Sequence, residues 1–100
     1  MMAEQRAEKM TGFIVQRKDG TVYVGSGYAG PGNPVPYWEP TGKGLDAAKV
    51  YKTQRGAREA ADKLGGIVGV VELDGNGKPV NWLGYAIRLG SWNRYAVYGR

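Results

Sequence analysis

A chain of 100 residues with neither histidine nor cysteine has no side chain that titrates near neutral pH unperturbed, no thiolate nucleophile or metal ligand, and no disulfide. Its 14 Lys and Arg against 9 Asp and Glu leave a net charge of +5, which favours a polyanion or an acidic protein surface as partner. With 42% hydrophobic residues and no run approaching ~20 apolar residues, residues 1–100 are expected to form one globular domain without a membrane-spanning helix, in the cytoplasm.

Residues 2–10 (MAEQRAEKM) fit two turns of frayed terminal helix, with Ala3, Ala7 and Met10 on one side. They lack the apolar core of a secretion signal. Residues 13–26 predict a β-hairpin, because Asp19-Gly20 supplies the positive φ angles of a two-residue turn. Pairing Lys18 with Thr21 puts Phe13, Val15, Val22 and Val24 on one face. Ile14, Gln16 and Tyr23 then fall on the other.

Residues 25–44 (GSGYAGPGNPVPYWEPTGKG) read as a long loop, broken by Gly and Pro and carrying Tyr28, Tyr37 and Trp38. Loops of this length are functional or disordered. A short strand is expected at Val50-Tyr51-Lys52. Thr53 then caps a helix over 54–64, with Ala57, Ala60, Ala61 and Leu64 on its apolar side and Gly65-Gly66 as its stop. The competing reading is one longer helix from Asp46 to Leu64.

Residues 67–73 (IVGVVEL) predict a buried strand, Asp74 to Gly77 a turn, and Pro79 to Leu89 a returning strand. A helix over the last of these also aligns Trp82, Tyr85, Ala86 and Leu89. The tail packs Trp92, Tyr95 and Tyr98 among Arg94 and Arg100. The sum is an α+β domain: a small antiparallel sheet of two hairpins with one helix packed on one face.

Gly25-Ser26-Gly27-Tyr28-Ala29-Gly30 matches the spacing of a dinucleotide fingerprint, but that motif must open a helix at once. Pro31, Pro34 and Pro36 forbid it, so the glycines are read as a hairpin exit. Asp74-Gly75-Asn76-Gly77-Lys78 lacks the distal glutamate of a calcium loop and reads as a turn. No spacing of acids suits a metal or a catalytic pair. Asp19 and Asp74 have turn roles, and Glu59 and Asp62 each lie four residues after an arginine, Arg55 or Arg58, placed to pair with it on the helix. No catalysis, no metal and no cofactor are expected.

Lys49, Lys52, Arg55 and Arg58 recur every third residue across the approach to a helix N-terminus, a pattern that suits phosphate or carboxylate. The 3 Trp and 7 Tyr concentrate in the loop and the tail. Tyr and Trp beside Arg make protein hot spots, or stacking platforms for unpaired bases. The candidate partner-binding residues are therefore Tyr28, Tyr37, Trp38, Lys49, Lys52, Arg55, Arg58, Trp92, Arg94 and Tyr95.

The stretch Ala48-Lys49-Val50-Tyr51-Lys52-Thr53, with Ala57, Ala60-Ala61 and Leu64 behind it, resembles a pattern of small bacteriophage accessory proteins. So does the opening FIVQRKDGTVYVGSGY. The resemblance implies a phage counter-defence protein of the anti-CRISPR type, acting by stoichiometric binding, often as a small α+β domain. Many such proteins are acidic mimics of nucleic acid, and this basic chain departs from them. The expectation is a non-catalytic inhibitor that binds a host defence protein or nucleoprotein complex. The alternatives are a small nucleic-acid-binding module and a structural, oligomerising phage protein.

Overall fold

The computed structural model describes residues 10–27, Gly32 and 34–98; of Lys43 and residues 91–93 only the backbone is described. The expected terminal helix and Tyr28 lie outside the described residues, apart from Met10, which begins a strand. Among the described residues six strands form one antiparallel sheet in the order β3-β2-β1-β4-β5-β6. They are β1 (Met10–Gln16), β2 (Thr21–Gly27), β3 (Val35–Pro40), β4 (Ile67–Leu73), β5 (Pro79–Leu89) and β6 (Ser91–Tyr98). One turn, α1 (Thr41–Gly44), and a 3-10 turn (Leu45–Ala47) precede the long helix α2 (Gln54–Leu64). The α+β class stands, and the sheet is larger than two hairpins.

Local signals set α2. The Thr53 side chain accepts the Gly56 N–H at 3.0 Å, and Gly65 ends the helix at φ 74°, a left-handed angle natural to glycine. Ala57 and Ala61 are fully buried on the sheet, with Leu64 packed beside them. Their small side chains let the helix approach Val15, Val68 and Val70 closely. The longer helix from Asp46 does not form. Ala48 is already extended, with ψ 142°.

The opening hairpin forms with a different register. Arg17 N–H donates to the Thr21 carbonyl at 2.9 Å, and Gln16 pairs with Val22. The loop therefore holds three residues, with Gly20 at φ 87°. The one-residue shift exchanges faces on β2. Tyr23 joins Phe13 and Val15 beneath α2, whereas Val22 and Val24 join Ile14 on the opposite face.

The Gly/Pro segment is not one long loop. β2 runs to Gly27, and Val35–Pro40 pairs with it as an edge strand. An edge tolerates proline where its missing N–H faces no partner. Thr41 then ties the chain to the hairpin tip, its N–H and Oγ1 both donating to the Gly20 carbonyl at 2.9 and 2.6 Å.

Beyond Gln16–Val22 the first two strands fork, and Ala48 to Tyr51 wedges into the opening. Lys49 N–H donates to the Tyr23 carbonyl at 3.0 Å, and Tyr51 exchanges two backbone bonds with Phe13 at 2.7 and 3.0 Å. The expected strand at 50–52 is thus a single bridge at Tyr51. Val50 faces Ile14 and Val71, while Tyr51 packs toward α2. Both faces of the sheet are covered, which is why β4 is buried from Val68 to Val71.

Irregular pairing in β4–β5 and β5–β6 bends the far half of the sheet around α2. β6 stands three strands from β1, yet the Tyr95 ring meets Phe13 edge-on, centroids 5.1 Å apart.

Candidate protein-binding surface

Tyr37 and Trp38 lie on β3, and Lys49 and Lys52 on the segment that leads into α2. Tyr37 is exposed on β3, with its ring across Gly27, where a Cβ would lie 2.8 Å from Cε2. Trp38 is not the exposed anchor expected of it. It sits opposite Tyr23, rings 5.7 Å apart, and the Arg17 guanidinium covers it at 4.0 Å. Its indole nitrogen is buried without a hydrogen-bond partner among the described residues. The register shift that turned Tyr23 toward α2 also drew Trp38 to that side.

Lys49 is exposed, with Nζ 5.9 Å from the centre of the Tyr51 ring. Burial pushes the Tyr51 phenol above its ordinary value, and the neighbouring Tyr23 adds to the shift. Lys52 is exposed at the rim of a 390 Å³ cleft floored by Gly12, Val50 and Leu73. Arg55 is spent on Glu59 at 3.3 Å, as its spacing predicts. The matching Arg58–Asp62 pair does not form among the described residues, and Arg58 is half-buried.

A hydrogen bond joins the helix to the tail. Gln54, the first residue of α2 and 2% exposed, donates its amide Nε2 to the Arg94 carbonyl at 3.2 Å. Arg94 is exposed, and its backbone carbonyl lies at the start of α2, on Gln54, which is next to Arg55 and two residues after Lys52 in the chain. The bond brings the tail backbone to the α2 end of the basic row, although forty residues separate the two bonded residues. Tyr95 does not join that row, because its ring is packed on Phe13. Trp92 lies on β6, its side chain undescribed.

Exposed apolar residues of the β5–β6 pair lie outside the candidate set, and Tyr98, noted among the tail aromatics, joins them. Ile87, Leu89, Val97 and Tyr98 are 44%, 40%, 46% and 66% exposed. Ile87 and Leu89 share one face of β5, and Tyr98 lies on that face because it pairs with Tyr85. Val97 points to the opposite face beside the buried Ala86. This strand pair forms a wing with Ile87, Leu89 and Tyr98 exposed on one face and Val97 exposed on the other, where Ala86 and Tyr95 stay covered. The available signal was charge: from Gly75 to Arg100 the sequence has Lys78, Arg88, Arg94 and Arg100 and no acid.

The two turn carboxylates have the roles expected of them. Asp19 accepts the Thr21 hydroxyl and N–H at 2.6 and 3.0 Å, and Asp74 accepts the Asn76 and Lys78 N–H groups at 2.8 and 2.9 Å. Each carboxyl titrates below its ordinary value through these bonds, the Thr21 hydroxyl leading for Asp19 and the Lys78 N–H for Asp74. No helix among the described residues is long and apolar enough to cross a membrane. No protein-family model, curated protein or solved structure matches the chain.

Proposed function

We propose that this chain is a non-catalytic binding protein of the phage counter-defence, anti-CRISPR-like kind, which inhibits a host defence protein or nucleoprotein complex by occupying an acidic protein surface stoichiometrically. The observation that carries this reading is the β5–β6 wing, where exposed aliphatic side chains lie within an acid-free basic stretch. An apolar centre with a cationic surround suits a protein patch rimmed by carboxylates.

The alternative, a stand-alone nucleic-acid-binding module, needs rings free to stack on bases. Tyr95 packs on Phe13, and Trp82 donates its indole N–H to Gln16 at 2.7 Å. Of the described aromatics on β5 and β6, only Tyr98 is largely exposed. The other exposed large hydrophobics of this strand pair, Val80, Ile87, Leu89 and Val97, are aliphatic, which favours protein. The test is capture of bacterial proteins on the immobilised chain with and without nuclease. Stoichiometric capture that survives nuclease supports a protein target, and capture that vanishes assigns the chain to nucleic acid.

A further inference from the structure

The two edges of the sheet are closed differently. β3 carries Pro36 and Pro40, is preceded by Pro34, and adds the charge of Glu39, all features that keep a further strand from pairing. β6 has no proline and no acid, and among the described residues no strand lies on its outer side. Gln54 takes the Arg94 carbonyl, so that point is closed. The open stretch is Tyr95 to Tyr98, where Val97 projects on one face and Tyr98 on the other.

We propose that this stretch of β6 accepts an extended acidic segment of the partner protein as a seventh strand. The inference rests on the protein-binding reading above and names its mode. Backbone pairing supplies the attachment, while alternate apolar side chains of the incoming strand cover Val97 and Tyr98. Charge selects the occupant. The exposed Arg94 on β6 and the exposed Lys52 just ahead of α2 are cationic, and residues 75 to 100 contain no Asp or Glu. A second copy of the chain is disfavoured for the same reason, since it brings an equally basic edge and a further charge of +5.

The experiment is an NMR titration of the full, isotope-labelled chain with a capped hexapeptide of alternating Glu and Val. Two controls are the same peptide with Lys for Glu, and the Glu–Val peptide methylated at every backbone nitrogen. The expected result is a Kd of about 1 mM with shifts centred on the amides of residues 95–98, and at least about tenfold weaker binding of both controls. Arg94→Glu, confirmed folded by its spectrum, should weaken the Glu–Val peptide about tenfold as well.

Equal binding of the methylated peptide, or shifts confined to Ile87 and Leu89, overturns strand addition in favour of docking on the face. Absence of binding at several millimolar overturns it outright, as does a dimer in sedimentation that protects the same amides. Tighter binding of oligothymidylate at those amides gives the edge to nucleic acid. The two proposals fail separately. Peptide failure with nuclease-resistant capture intact removes only strand addition, whereas capture indifferent to changes at Leu89 and Tyr98 removes the wing as the protein-binding surface.

Discussion

Gln16 on β1 and Trp82 on β5 are joined across the intervening β4, the glutamine Oε1 accepting the indole N–H at 2.7 Å over the face of Gly69. Gly69 is what makes the bond possible, because a Cβ there would meet both groups. Gln16 is only 4% exposed, so its amide has little access to water. Gly69→Ala should therefore destabilise the fold by about 1–3 kcal/mol, by displacing a buried polar contact. Trp82→Phe should cost a similar amount, and the double variant less than the sum, since both break one bond. Urea unfolding of the three variants checks this; strict additivity contradicts a shared bond.

The wedge between β1 and β2 needs Gly12, where a Cβ would lie 2.7 Å from Val50 Cγ1. Gly12→Val should cost about 1–3 kcal/mol by overpacking and should speed amide exchange at Phe13 and Tyr51. Exchange at the helix amides of Ala57 to Ala61 should change less. Uniform loss of protection throughout the chain contradicts a local wedge.

The start of α2 depends on Thr53, whose hydroxyl accepts the Gly56 N–H. Thr53→Ala should cost about 1 kcal/mol and Thr53→Ser only a few tenths, measured by denaturant midpoint. Equal loss in both variants would assign the effect to the methyl group instead of the cap.

Asp19 and Asp74 both titrate below the ordinary carboxylate value of 3.8, held there by donated hydrogen bonds. A depressed folded pKa adds stability above the unfolded pKa, and that stability is lost as pH falls through the folded value. Tm should therefore fall as pH drops below 3.8, with a shallower acid slope in Asp74→Ala and a lower Tm for that variant at neutral pH. An unchanged acid slope contradicts the role given to this turn.

The legible parts of the fold were those set by neighbours in sequence. Thr53 and Gly65 bound α2 by capping, and the apolar run 67–73 marks a strand covered on both faces. Asp19-Gly20 marks a turn, yet Gly20 suits a two-residue and a three-residue loop alike. That one-residue ambiguity reversed the sides of Tyr23 and Val22. β3 was hidden by its prolines, which an edge strand accommodates and a central one does not. For the surface, composition indicated a basic, aromatic binder, but which rings remain exposed depends on how the sheet bends. Tyr95 reaches Phe13 only because β6 wraps toward α2, and no pattern within residues 91–98 encodes that approach.

The placement of the protein-binding surface on the β5–β6 wing is tested most directly by capture from nuclease-treated bacterial lysate with two folded double variants. The expected result is that Leu89→Ser with Tyr98→Ser abolishes stoichiometric capture, each apolar anchor contributing on the order of 1–2 kcal/mol, whereas Arg55→Glu with Arg58→Glu mainly slows association. Full capture by the Leu89–Tyr98 variant, with loss in the Arg55–Arg58 variant, contradicts that placement and moves the site to the basic face of α2.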